Sequence, residues 1–329
     1  MATAVMATTL MTGRTMKAVL NREYGPADDL RLQDVARPTI DDDQVLVRVR
    51  AASVNPFDWH LMRGEPRVVR LLVGLRRPKG GGIPGVDAAG TVEAVGANVT
   101  EFGPGDEVFG SCSATFAEYT IGSERNFVAK PENLSLEQAA AIPGAGVTAL
   151  QAVRDHGAVE ARQRVLINGA AGGVGTFAVQ IAKSRGAHVT GVCSTPNLEL
   201  VRSLGADEVV DYTAEDFTRR GRYDVIIDNV GNHSLRDLRR ALAPTGTLVA
   251  VGGGLSKKLS AKLLNRFVDQ RLVTFIANVN KADMITLKEL IEDGKVAPVI
   301  DRTYQLSEAP EAIRYVETGH ARAKVIITV

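Results

Sequence analysis

Cysteine is nearly absent from this chain: Cys112 and Cys193 are the only two in 329 residues. That excludes a disulfide framework and a cysteine-rich zinc site, and it suits a reducing, cytoplasmic compartment. Charge of one sign is also lacking, since the formal net charge is +1. No bulk field therefore draws the chain to nucleic acid or to a membrane surface. No apolar run in it reaches the ~18 residues that a membrane span needs. Internal repeats and low-complexity blocks are missing too. What is present is an ordinary globular composition, 45% hydrophobic and 23% charged, over a length that suits two domains.

Residues 1–15 are small, polar and Met-rich, and read as a disordered leader. Arg14 is their only basic residue and no apolar core follows, which argues against a targeting peptide. From Met16 to residue 136 the pattern is mostly β. Val45-Leu-Val-Arg-Val-Arg alternates apolar and basic residues with a period of two, and a glycine-bounded run over 85–96 is a second strand. Many short strands with Gly/Pro turns suggest a partly closed β-barrel. From 137 the period changes. Ser135 is a helix N-cap with Gln138 at the capping-box position, opening a helix over 136–142. A second helix is expected over 147–156. Strands at 165–168, 188–193, 208–210, 224–228, 247–251 and 272–277 then alternate with helices at 175–185, 197–204, 233–242 and 256–268. This α/β alternation predicts a doubly wound parallel sheet over 137–278. Helices over 281–293 and 308–318, and strands from Thr303 and Lys324, close the chain.

The stretch that says most about function is Arg164-Val-Leu-Ile-Asn-Gly-Ala-Ala-Gly-Gly-Val-Gly-Thr. A β-type run, a turn of small residues (Ala171, Gly172, Gly173, Val174, Gly175) and a helix start follow in that order. Such a turn lets backbone approach a pyrophosphate at a helix N-terminus, so a dinucleotide is expected. An acid about 20 residues farther on would hold the ribose 2′-hydroxyl of NAD. Ser194 stands there, nineteen positions past Gly175. A carboxylate would repel a 2′-phosphate, whereas a hydroxyl donates to one, so NADPH is the expected cofactor. Arg202, Arg219 and Lys183 are the nearest basic residues, each of which also reads as an exposed helix charge. The same reading puts Tyr212 near the adenosine phosphate.

Several motifs together carry a resemblance. They are Met16-Lys-Ala-Val, Ala52-Ser-Val-Asn-Pro-Phe-Asp, Ile83-Pro-Gly-Val-Asp-Ala-Ala-Gly, Gly103-Pro-Gly-Asp-Glu-Val, Ala170-Ala-Gly-Gly-Val-Gly, Leu204-Gly-Ala-Asp, Asp228-Asn-Val-Gly and Gly319-His-Ala-Arg-Ala-Lys. With them the chain resembles the medium-chain dehydrogenases/reductases, in their zinc-free quinone-oxidoreductase branch. The resemblance implies a GroES-like, mostly β catalytic domain (16–136 with 279–329) interrupted by a Rossmann domain (137–278), with the active site between them. It implies that Gly173, Val174, Ser194, Tyr212 and Asn229 contact the nucleotide. Asn55, Thr148, Gly252, Gly253, Phe275 and Lys324 would lie near the ribose or nicotinamide. It also implies a homodimer paired through Phe275-Ile-Ala on the last strand of the Rossmann sheet. Ala323 departs from the pattern, since many relatives have Gly there.

Zinc-bearing relatives use three protein ligands in the cleft and keep one position open. The corresponding places here hold Asn55, Val86 and Gly144, none of them a good ligand, so no metal is expected. Without a Lewis acid, hydride transfer suits an acceptor that stabilises its own developing charge, a quinone or an α,β-unsaturated carbonyl. Solvent, a cofactor hydroxyl or a hydrogen bond from Asn55 would protonate the product. Asp58, Trp59 and His60 are candidates for substrate contact, although Asp58 equally suits a local brace for its loop. Arg63, Arg67, Arg70, Arg76, Arg77 and Lys79 fall in one stretch that reads as a solvated loop or as the rim of a substrate mouth. The rival readings are a zinc-free alcohol or carbonyl dehydrogenase and a non-catalytic, crystallin-like NADPH-binding protein.

Overall fold

The computed structural model describes residues 14–66, 70, 74, 82–252 and 269–329. In chain order, β1 (Thr15–Leu20) pairs antiparallel with β2 (Arg31–Ala36). β3 (Gln44–Val54) follows, then α1 (Pro56–Arg63), β4 (Asp87–Val95), β5 (Glu107–Ser111), β6 (Tyr119–Ser123) and β7 (Phe127–Ala129). The expected alternation is visible in β3, where Val45, Val47 and Val49 are buried while Arg48 and Arg50 are exposed.

Two helices, α2 (Leu136–Ala140) and α3 (Pro143–Leu150), lead to the second sheet. Ser135 caps α2 as its sequence predicts, its Oγ accepting from the Gln138 N–H at 3.3 Å. Six parallel strands then follow: β8 (Arg164–Asn168), β9 (His188–Cys193), β10 (Glu208–Asp211), β11 (Tyr223–Asp228), β12 (Leu242–Ala250) and β13 (Arg271–Thr274). Helices α4 (Gly173–Ser184), α5 (Leu198–Ser203) and α6 (Leu235–Ala241) connect them. The strand order β10-β9-β8-β11-β12-β13 reverses between β8 and β11. A doubly wound sheet opens its ligand crevice at that reversal, beyond the strand C-termini. Val165, Leu166 and Ile167 of β8 are all fully buried, because helices cover both faces of such a sheet.

The chain returns through α7 (Lys281–Glu292), β14 (Ile300–Gln305), α8 (Ala309–Glu317) and β15 (Lys324–Thr328). β15 pairs antiparallel with the second half of β3, giving a seven-stranded sheet. One core joins the sheets: Ala51, Ala89 and Phe109 of the first share a cluster with Ile142 and Val147 at α3, Phe177 of α4 and Ile227 of the second sheet.

Several expectations need correction. The second helix begins at Pro143, not at 147, because proline is favoured in a first helical turn, and 151–156 continue as a π-type turn. β2 and α1 were not anticipated. Thr15, assigned to the leader, is the first residue of β1. Phe275 lies outside β13, which ends at Thr274, and its ring packs on that of His156 with centroids 4.1 Å apart. Residues 1–13, the helix expected over 256–268, Gly253, Arg67, Arg76, Arg77 and Lys79 lie outside the described residues.

Candidate active site

β8 ends at Asn168 and the chain turns at Gly169 (φ +75°), a conformation glycine adopts without strain. The Gly172 N–H donates to Gly169 O at 3.1 Å, and α4 begins at Gly173. The N–H of Thr176 reaches Gly172 O at 2.9 Å, so the preceding N–H groups of Gly173, Val174 and Gly175 form the open first turn. A Cβ on Gly175 would be driven into the backbone of Gly169 and Ala170, whereas one on Gly172 would meet only Gly169 O at 3.5 Å. Gly175 therefore lets helix and turn pack, while Gly172 keeps the approach clear. An anion fits this cradle, as the expected dinucleotide requires.

Ser194 and Tyr212 lie side by side beyond β9 and β10, the Tyr212 N–H donating to Cys193 O at 3.1 Å. The Ser194 hydroxyl accepts from Asn197 Nδ2 at 3.1 Å, and Tyr212 is half exposed. Asp211, which sequence reasoning missed, accepts from the hydroxyls of Thr195 and Thr213 and from the Thr213 N–H at 2.9 Å. These bonds hold its carboxyl below the usual range. Each basic candidate has an acidic partner: Lys183 with Asp207 (2.8 Å), Arg219 with Asp216 (3.5 Å) and Arg202 with Glu199. At the strand-order reversal, the backbone N–H and Nδ2 of Asn229 both donate to Asn168 O, at 3.2 and 3.0 Å. Among the described residues Asn229 Oδ1 is buried with no partner. A Cβ on Gly252 would press on the Asn229 backbone, so only glycine lets these segments meet.

A polar cluster, the floor of the candidate site, adjoins the cradle through the entry to β15. Asn55 precedes α1, and Lys324 Nζ donates to its Oδ1 at 2.6 Å. Asn55 Nδ2 donates to Asp87 Oδ2 (2.9 Å) and to Ser53 O (3.3 Å). Both amide hydrogens are thus committed within the protein. This corrects the expectation that Asn55 donates to a reacting substrate. Asp87 Oδ2 also accepts from the Gly144 N–H at 3.0 Å. Asn55, the residue after Val86, and Gly144 therefore converge, as their assignment to one locus implied. Thr148 Oγ1 donates to Gly144 O at 2.6 Å.

Asp58 does brace its own helix, Oδ2 accepting from the Asn55 N–H at 2.7 Å, while among the described residues Oδ1 is buried without a partner. Burial pushes its carboxyl up to about 7. Burial likewise raises Asp87 and lowers Lys324, whose charges oppose those shifts in each other. Trp59 and His60 stack with ring centroids 3.6 Å apart, and His60 Nδ1 lies 3.1 Å from Glu65 O. Of the basic stretch, Arg63 pairs with Glu317, and Arg70 donates to Gly64 O at 3.0 Å and covers the Tyr24 ring.

Cradle and floor are tied together by the entry to β15. Ala323 bridges to Gly172, and its N–H donates to Ala171 O at 2.7 Å. The Lys324 stem passes beside Gly173, where an added Cβ would lie 3.1 Å from Lys324 Cδ. Among the described residues no group of three or more His, Cys, Asp or Glu could hold a metal ion. The donor chemistry at Asn55 does not suit zinc either, since an ammonium already takes its amide oxygen.

Residues 41–150 match the alcohol dehydrogenase GroES-like domain, and residues 204–327 match the zinc-binding dehydrogenase family. The chain is 36% identical to NAD(P)H oxidoreductase RTN4IP1, mitochondrial, of Mus musculus, over 98% of this chain and 92% of that protein. It is 33% identical to 2-methylene-furan-3-one reductase of Solanum lycopersicum, over 99% and 82% respectively. The solved quinone oxidoreductase from Coxiella burnetii superposes with a TM-score of 0.87 at 32% identity, covering 96% of this chain and all of that one.

Proposed function

The chain belongs to the medium-chain dehydrogenase/reductase family and is an oxidoreductase, and from that premise we propose that it is a zinc-independent, NADPH-dependent reductase of quinones or α,β-unsaturated carbonyls. The observation that carries this reading is the pairing of an open helix N-terminus at Gly173 with a buried cation-and-carboxylate floor one bridge away. The cradle at 172–175 would hold the pyrophosphate. Ser194 and Tyr212 would hold the adenosine end, with Asp211 kept from the ribose by its bonds to Thr195 and Thr213. Asn229 Oδ1, buried and unpartnered among the described residues, would take a ribose hydroxyl. Thr148 and Lys324 would border the nicotinamide, which supplies a hydride when bound. With no Lewis acid expected, these residues bind and orient, and rate comes from proximity. Quinones and enones suit such a site because conjugation spreads the charge that hydride addition creates. The names of the Coxiella burnetii and Solanum lycopersicum relatives agree with that substrate class.

The same reading takes the molecule as a cytoplasmic homodimer joined along β13. That strand ends its sheet, and Ile276 just beyond it is 86% exposed. Light scattering tests the assembly. The decisive experiment for function is NADPH oxidation across quinones, enones and simple ketones, with NADH as control. Turnover of quinones or enones but not of ketones is expected. Binding of NADPH with no turnover of any acceptor would favour the non-catalytic reading.

A further inference from the structure

The polar cluster around Asn55 holds more ionisable chemistry than binding requires. Asp58, Asp87 and Lys324 retain 1%, 0% and 3% of their exposure, with Asn55 threaded between them. Lys324 and Asp87 are both bonded to Asn55, and the backbone N–H of Asn55 is bonded to Asp58. Two carboxylates thus face a single ammonium, and among the described residues Asp58 Oδ1 has no partner. A buried cluster of two acids and one base is neutral only when one acid carries a proton. An unbalanced buried charge is expensive, so burial favours the protonated state, and a new positive charge nearby would shift the balance toward release.

The reaction brings such a charge. We propose that this cluster is a redox-linked proton store, with Asp58 holding a proton beside the neutral, reduced nicotinamide and releasing it when the ring becomes cationic. This rests on the reading that the cleft takes a nicotinamide dinucleotide. The balance is simple. With a reduced nicotinamide bound, the acceptor would gain a hydride and become an enolate or phenolate. The O–H bond of Asp58 would then break and its proton pass to water, while water supplies the proton that forms a C–H or O–H bond on that anion. One hydride and one proton complete a two-electron reduction, and solvent later reprotonates Asp58.

Asp58 is the member poised to change state: its carboxylate accepts one hydrogen bond, from the Asn55 N–H, whereas that of Asp87 accepts from both Asn55 Nδ2 and the Gly144 N–H, and burial pushes the Asp58 carboxyl up to about 7. The charged groups facing it are Asp87 on β4 and Lys324 on β15. Cys112 faces Asp87, but its thiol is pushed up to about 12 and stays protonated. A unit charge across a cleft moves a buried acid by on the order of one pKa unit.

The test counts protons rather than turnover. Calorimetric titration of the full-length protein with NADP+ and with NADPH, in buffers of different ionisation heat, gives protons exchanged on binding. Phosphate contributions are common to both forms and cancel in the difference. Near pH 7, NADP+ is expected to leave the protein with about 0.3–0.4 fewer protons than NADPH does. The difference should vanish in Asp58→Asn. In Lys324→Met, which removes the charge that lowers Asp58, the difference should persist and peak at higher pH. Equal proton counts for the two forms in the unaltered protein would overturn the store. So would a difference that survives Asp58→Asn, or one that in Lys324→Met is absent at every pH. Failure of both forms to bind would instead remove the dinucleotide reading, so the two failures are distinguishable.

Discussion

Burial of the Asp58 carboxylate gives stability a pH dependence of definite sign. Its folded pKa of about 7 lies above the ~3.9 of an unfolded chain, so the native state binds the extra proton between those values. That contribution is fully present below about pH 4 and is lost as pH rises through about 7. Asp207, Asp211, Asp216, Asp283 and Asp301 are all lowered and act in the opposite sense, favouring the fold above the unfolded carboxylate range. Subtracting the wild-type curve from that of Asp58→Asn isolates the one group. The variant should gain about 1–3 kcal/mol relative to wild type between pH 5 and pH 8. Urea unfolding at the two pH values reads this directly, and a pH-independent difference would remove Asp58 as a titrating group. Ala323 offers a second single-residue test. Its φ of +47° costs an L-residue roughly 1–2 kcal/mol, whereas glycine adopts it freely and loses about 0.5–1 kcal/mol in chain entropy. Ala323→Gly should therefore stabilise by up to about 1 kcal/mol, and an unchanged or lower melting temperature would contradict the strain.

At the scale of elements, the turn between β8 and α4 separates folding from binding through two glycines. A Cβ at 175 collides with backbone, which cannot swing aside, while a Cβ at 172 has room but occupies the face an anion would approach. Gly175→Ala should destabilise by at least about 2 kcal/mol, as overpacking against fixed atoms does. Gly172→Ala should keep its melting temperature yet bind NADPH at least about tenfold more weakly, a loss of roughly 1.4 kcal/mol. Equal behaviour of the two variants, by thermal melts and by fluorescence titration, would remove the distinction. This turn was legible in the sequence because its signal is local: apolar strand, small residues, helix start. The Ser135 cap was legible for the same reason. α1 is not legible in the sequence, although Asn55-Pro56 is a helix-start pair, because the surrounding strands dominate the pattern. Asp87 had no visible role because its partners Asn55 and Gly144 are 32 and 57 positions away. Asn55 was found, but its commitment to Lys324, 269 positions on, is a tertiary fact that no local pattern carries.

For the molecule as a whole, what matters is how the two sheets are joined. The Gly172–Ala323 bridge and the shared core hold the cradle against the floor. A second tie lies at α3 and the turn after it, where Gln151 Nε2 donates to Asn278 O (2.8 Å) and to Asp283 Oδ2 (2.7 Å). Arg154 adds an ion pair to Asp283 at 2.7 Å. A ligand that spans cradle and floor touches both sheets, so it should stabilise them as one unit. Binding only to the folded state adds RT ln(1 + [L]/Kd), about 2.7 kcal/mol at a hundredfold excess over Kd. One unfolding transition should therefore move up by several degrees with NADPH, and less with NADH at the same concentration. Ser194→Asp should reverse that order, because a carboxylate beside a 2′-phosphate is a like-charge contact costing several kcal/mol. Scanning calorimetry with each cofactor makes the comparison. Equal shifts in the unaltered protein would remove the preference for NADPH. Two separate transitions, only one of them cofactor-dependent, would show that the bridge at Ala323 does not couple the sheets.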